Sequence, residues 1–382
     1  MLRTLLFMAG VTAAATPAIA DDLAISQALT QFQQRSQVPG AIAAVFGPRS
    51  SHQAVVGVRR AGQSDPLVPE DGMHIGSNLK AITAWLIARD VDRGLLRWDS
   101  RLDEIFPELA PTMLPAYRSV TIDQLLGHRA GILPIQHADE LAQLPPLSPD
   151  PREARRVFTA FALGQPPVFD DPTTPGFRYS NGGYIVLGAV LERLHPLPYE
   201  EWVRQELLTP LDITSARFGW PAGHGLAGPW GHFRQDDTWV PVDPDSDLAQ
   251  VPAILTPAGN MSLTLGDYLK TVRLHLDGLN GCPRGLSAAS YAHLHTPQSS
   301  NGYAAGWGVF DFDGVTTSTH DGSLAVFYAR TMLQPQRHHG LVILTNAADD
   351  QILPGPLNTL TLDLLAQPSP DLFAGGFESC DG

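Results

Sequence analysis

Ser77-Asn78-Leu79-Lys80 places a hydroxyl and an amine three positions apart at the start of a helical pattern, on one face and about one turn from each other. A serine hydroxyl is a weak nucleophile until a neighbouring base takes its proton. Lysine can be that base only where burial or other cations lower its pKa. Of the 25 basic residues in the chain, only Lys80 and Lys270 are lysines. In a chain that otherwise uses arginine, a lysine at this spacing stands out. The helix start would add a partial positive potential that favours a developing anion. The competing reading is a capping serine followed by an unrelated surface lysine.

Two further groups could join this pair. Tyr179-Ser180-Asn181 precedes a helix near Gly183, so Tyr179 and Asn181 can both point into a cleft. The phenol could relay a proton, and the amide could hold a substrate carbonyl or the lysine ammonium. His320-Asp321-Gly322-Ser323 lies between late strand candidates. There Gly322 allows close backbone approach, and the next amide could serve an oxyanion hole. Other chemistries fit less well. The chain has no G-x-S-x-G turn of the α/β-hydrolase kind. His293, His295, His338 and His339 lack a carboxylate or third histidine at ligand spacing, so they are expected at the surface and no metal or other cofactor is implied.

The elements that would position these residues follow from periodicity. Helices are predicted over 22–37, 77–93, 120–126 (capped by Thr121), 153–163, 183–194, 199–208, 265–276, 286–294 and 357–365. Strands are predicted over 41–46, 53–58, 303–310, 325–333 and 340–345, with 219–251 mostly loop. This order suits an α/β (α+β) fold, in which an antiparallel sheet is built from both chain ends and flanked by helices. Sheet residues come from about 21–97 and 263–366, and a mostly helical subdomain is inserted at about 98–262.

Composition narrows the partners. The 382 residues carry 25 Lys plus Arg against 39 Asp plus Glu, a formal charge of −14, which disfavours nucleic acid. Residues 1–20 have a basic start, an apolar run and Ala18-Ile19-Ala20, the order of a signal peptide cleaved after about Ala20. The mature chain contains no apolar run long enough to span a membrane and is expected in the periplasm or secreted. Cys282 and Cys380 would then share a compartment that permits a disulfide, although spacing does not show whether they meet. Residues 367–382 are expected to form a flexible tail.

Taken together, S-x-x-K, Y-x-N and H-x-G in this order and spacing resemble the penicillin-recognising serine hydrolases. This group includes class C β-lactamases, D-Ala-D-Ala carboxypeptidases and family VIII esterases. Val38-Pro39-Gly40, Leu125-Leu126-Gly127-His128-Arg129-Ala130-Gly131, Pro257 to Ser262 and Gly306-Trp307-Gly308 are also similar to family text. The resemblance spans about residues 22–366 and implies the β-lactamase/transpeptidase-like fold. It implies that Ser77 forms an acyl-enzyme and that Lys80 and Tyr179 share general base and acid work. Asn181, His320, Gly322 and Ser323 would contact the substrate, with the amides of Ser77 and Ser323 as the oxyanion hole. The third motif departs from the usual K-T-G. Neutral His320 supplies no permanent charge for a substrate carboxylate, and Asp321 would repel one if it pointed into the pocket. Esters or short amides are therefore the expected small-molecule substrates. D-alanyl peptides, β-lactams and a sensor acylated without turnover are the alternatives.

Overall fold

The structure, a computed structural model, describes residues 17–170 and 176–371. Strand β1 (Gly40–Phe46) is apolar throughout and buried at every position, as a central strand covered on both faces requires. It pairs antiparallel with β2 (Ser51–Gly57) on one side and β10 (His339–Thr345) on the other. With β7 (Gly308–Phe312), β8 (Val315–Ser323) and β9 (Tyr328–Gln334) the sheet runs β2-β1-β10-β9-β8-β7. Its two faces bury alternate residues. Ala41, Ala43, Val45, Leu341 and Ile343 pack against Ile25, Leu29 and Phe32 of helix α1 (Pro17–Ser36) and against Leu357, Leu360 and Leu364 near the chain's end. Ile42, Ala44, Phe46, Val342 and Leu344 meet the larger core, which includes Leu79, Trp85 and Leu86 of α2 (Leu79–Asp92).

The inserted region is mostly helical, and its helices begin at recognisable caps. In α3 (Ile122–Leu126), Thr121 and Gln124 bond reciprocally to each other's backbone amides. Asp150 caps α4 (Pro151–Ala162), and Ser180 caps α5 (Asn181–Leu194) by accepting from the Gly183 amide at 2.9 Å. Arg155 of α4 is fully buried between Glu192 and Glu200, which locks α4 to α5. Short strands also occur here: β3 (Gly72–His74) pairs with β6 (Ser262–Thr264), and β4 (His232–Gln235) pairs with β5 (Thr238–Pro241). The chain then returns through α6 (Thr256–Gly259), α7 (Leu265–Leu279) and α8 (Ala288–Leu294), and closes with α9 (Pro354–Leu365).

Three expectations need correction. The His320 segment does not lie between strands but within β8, whose polar run V-T-T-S-T gave no apolar alternation and is fixed by pairing with β7 and β9. His295 and His339 are buried rather than on the surface. His295 lies between His275 at 2.9 Å and Ser318 at 2.8 Å, stacked near Trp307. The expected tail is held as far as Asp371, which accepts from the Arg49 amide at 2.7 Å, while Ser369 donates to the His338 carbonyl at 2.9 Å. The expected signal peptide lies outside the described residues through 16, and 17–20 begin α1. Cys282 is disulfide-bonded, and Cys380 lies outside the described residues.

Candidate active site

Ser77 stands in a single 3₁₀ turn, Gly76–Asn78, that leads into α2, and is partly exposed. Three glycines let other backbone segments close on this turn. Gly76 has φ +52°, and a Cβ there would lie 2.6 Å from the Ser323 amide nitrogen. A Cβ on Gly322 would lie 2.0 Å from the Ile75 carbonyl oxygen and 2.9 Å from the Ser77 amide nitrogen. A Cβ on Gly259 would lie 3.1 Å from the Gly76 carbonyl carbon and 3.2 Å from the Ser77 amide nitrogen. The two amides expected to face an oxyanion are thereby brought alongside each other.

Lys80, the second residue of α2 and one turn on from Ser77, is completely buried. Its Nζ lies 2.6 Å from the Ala258 carbonyl, 2.7 Å from Asn181 Oδ1 and 3.1 Å from Ser77 Oγ. The first two partners can only accept. A neutral amine donating to both therefore turns its lone pair toward the Ser77 hydroxyl. Burial holds the Lys80 pKa well below the usual lysine range, which favours that neutral form. Rings of Tyr179 and Tyr184 lie over the ammonium position at 4.9 and 5.4 Å.

Tyr179 lies just ahead of α5 and beside Ser77. Burial raises its pKa, outweighing the lowering by Ser77, so it is a neutral hydroxyl rather than a phenolate. Asn181 faces the lysine, and its Nδ2 donates to the Ile135 carbonyl at 2.8 Å. Of the two roles considered for this amide, the geometry fills the second: it holds Lys80. His128 packs against Tyr179, Tyr184 and Tyr303 with ring centroids at 4.3, 5.2 and 4.6 Å. Its Nδ1 accepts from the Ser180 amide at 3.2 Å, so the proton sits on Nε2.

His320 reaches the same site from β8. Burial, with Lys80 adding repulsion, pushes its pKa down to about 4. Asp321 does not point into the pocket. It lies opposite Arg330 in the β8–β9 register and accepts two bonds from its guanidinium, at 2.8 and 2.7 Å. Arg330 in turn reaches Asn358 and Thr361 of α9, so this pair belongs to the far face of the sheet. The repulsion expected of Asp321 is absent because successive strand residues face opposite ways. Ser323 is exposed at the end of β8, and its Oγ accepts from the Ala325 amide at 3.1 Å.

All seven residues singled out in the sequence thus gather around one turn, with Gly322 as the backbone contact. Sequence reasoning missed Tyr303, whose hydroxyl lies 3.1 Å from His320 Nε2. Its one available signal was a tyrosine four positions ahead of Trp307 in the Gly-Trp-Gly segment. His74 and Asn260, buried beside the turn, were also missed. His74 Nδ1 accepts from the Gly76 amide at 3.1 Å, and its Nε2 lies 3.3 Å from Asn260 Oδ1, which steadies the loop before Ser77.

Known proteins resemble this chain over most of its length. A family model described as Beta-lactamase matches residues 25–360. Penicillin-binding protein 4 of Amycolatopsis lactamdurans is 29% identical over 334 residues, 81% of each chain. The crystal structure of SurE superimposes with a TM-score of 0.73 at 24% identity, covering 91% of this chain and 76% of that one. A class C beta lactamase from Rhodobacter sphaeroides gives 0.69 at 18% identity, covering 90% of this chain and 98% of its own. At these identities the two solved structures speak to the fold.

Proposed function

This chain belongs to the beta-lactamase family, and from that premise we propose that it is a serine hydrolase that acylates Ser77 and prefers esters or short amides. The observation that carries the proposal is the hydrogen-bond set of Lys80. Two obligate acceptors and burial leave a neutral amine facing the Ser77 hydroxyl. In the first step the Ser77 proton passes to Lys80 Nζ while Oγ bonds to the substrate carbonyl carbon. The carbonyl oxygen, now negative, meets the amides of Ser77 and Ser323, each such donor being worth about 2.7–4 kcal/mol. Tyr179 passes a proton to the departing alkoxide or amine and regains one from Lys80. Water then attacks the acyl-enzyme, with the same groups taking its proton and returning one to Ser77.

The ester preference rests on His320 alone, since Asp321 faces away. A second reading, acylation by β-lactams or D-alanyl peptides, is favoured by the similarity to a penicillin-binding protein. Export is part of the proposal, supported by the arrangement of residues 1–20. The test compares the protein with Ser77→Ala on p-nitrophenyl butyrate, nitrocefin and a D-Ala-D-Ala peptide, following product and intact mass. Ester turnover lost in Ser77→Ala is expected. Faster nitrocefin or peptide turnover would favour the second reading, and a stable adduct without turnover would indicate a sensor. Turnover that survives Ser77→Ala would remove the nucleophile assignment.

A further inference from the structure

His128 holds the backbone on both sides of Tyr179. Its carbonyl accepts from the Arg178 amide at 2.9 Å, and its ring Nδ1 accepts from the Ser180 amide at 3.2 Å. The N–H groups that flank the tyrosine therefore end on one residue. The imidazole also lies 4.3 Å from the Tyr179 ring, and Tyr184 and Tyr303 pack against it. Two features of His128 work against stability. It takes φ +56° just after the end of α3, a left-handed position that glycine ordinarily fills. Its Nε2 is buried with no hydrogen-bond partner among the described residues. An apolar ring would fill the same space without burying an unpaired donor. It could not, however, accept from the Ser180 amide.

We propose that His128 is a positioning residue: through Nδ1 it holds the Ser180 amide and so fixes the Tyr179 hydroxyl for proton transfer to the leaving group. This inference rests on the role given to Tyr179 in the acyl-enzyme reading above. An alkoxide departs as the alcohol, so it takes the Tyr179 proton, which Lys80 then replaces. p-Nitrophenolate is a weak base and departs without that proton. Displacing the phenol therefore slows alkyl esters more than p-nitrophenyl esters. A shift of about 1 Å in such a group costs about 10²-fold in rate.

The test measures kcat/KM of the full chain for methyl butyrate, by proton release, and for p-nitrophenyl butyrate, per mole of folded protein. The variants are His128→Asn, His128→Gln, Tyr179→Phe, His128→Gln with Tyr179→Phe, and Ser77→Ala. Asparagine carries its oxygen on Cγ, as histidine carries Nδ1, and tolerates a left-handed backbone. Glutamine places its oxygen one atom further out. His128→Gln should lower kcat/KM about 10²-fold for methyl butyrate and about tenfold for the aryl ester, so the aryl-to-alkyl ratio rises about tenfold. His128→Asn should keep that ratio within about twofold of the unaltered protein's. Packing alone predicts the reverse order, because asparagine is the smaller side chain. In Tyr179→Phe the ratio has already risen, and adding His128→Gln should move it no further. An unchanged ratio in His128→Gln, an equal rise in His128→Asn, or a further rise in the paired variant overturns this inference. With Ser77-dependent turnover intact, each of those outcomes leaves the acyl-enzyme reading standing. Ester turnover that persists in Ser77→Ala overturns that reading instead. Imidazole ¹⁵N NMR of the unaltered protein tests the acceptor without relying on a variant that must fold. The Nε2–H form of His128 is expected at neutral pH, and an Nδ1–H or imidazolium ring would overturn the proposal.

Discussion

The base proposed at Lys80 must be a side chain that can give up its proton. Arginine stays protonated in proteins, which explains a buried lysine in a chain with so few. Lys80→Arg should therefore keep the charge yet lower kcat/KM for p-nitrophenyl butyrate by about 10²–10⁴, the range of a lost general base. The acid limb of the unaltered protein's profile should rise as pH increases and Lys80 loses its proton. Its inflection should fall well below the usual lysine range, because the buried charged form is disfavoured. An inflection near that of a free lysine would contradict the assignment. Asp321→Asn separates sequence from structure at one position. Its carboxylate faces Arg330, so the nitrocefin-to-ester ratio should change less than about twofold, while stability falls by about 1 kcal/mol in urea unfolding. Ser77 and Lys80 were legible because one turn of helix makes residues three apart neighbours. The contact of Tyr303 with His320 was not, because nothing local relates a residue before β7 to one on β8.

The elements carrying the site differ in how openly the sequence declares them. α1, α2 and α5 show apolar spacing, α5 also has a side-chain cap, and their bounds lie within about five residues of expectation. β8 has no such signature. Its threonines and serine suit a strand only once β7 and β9 satisfy both edges, so its identity is a property of the sheet. The glycines at the contact between β8 and the Ser77 turn are what bring two elements to backbone distance. Gly322→Ala would drive a methyl into the Ile75 carbonyl and past the Ser77 amide. The strand must then withdraw, taking the Ser323 amide with it. We expect kcat to fall at least about 10²-fold, as for a lost oxyanion donor, together with a lower Tm. A variant with near-normal kcat would show that the Ser323 amide contributes nothing.

Across the whole molecule, burial of neutral histidines sets an acid limit. Burial lowers the pKa of His74, His232, His320 and His339 to about 4 and of His275 to about 3, and holds His128 and His295 well below the ordinary value. The unfolded chain binds protons at about pH 6.5 that the folded chain refuses. Stability is therefore complete above that pH and is lost as pH falls toward 4, at about 1.4 kcal/mol per pH unit for each extra proton taken up. Urea midpoints should drop steeply between about pH 6.5 and about pH 4.5. A flat profile there would mean that these rings are charged in the folded state. The pairing of Ala41 in β1 with Thr345 in β10 has a temporal side as well. At ordinary translation speed the last strand emerges about 15–60 s after the first. Throughout that interval β1 has one partner strand and an apolar edge open to other chains, a natural target for a holding chaperone. Over most of the same interval Ser77 has no Ser323 amide beside it, so the nucleophile proposed here could not yet act.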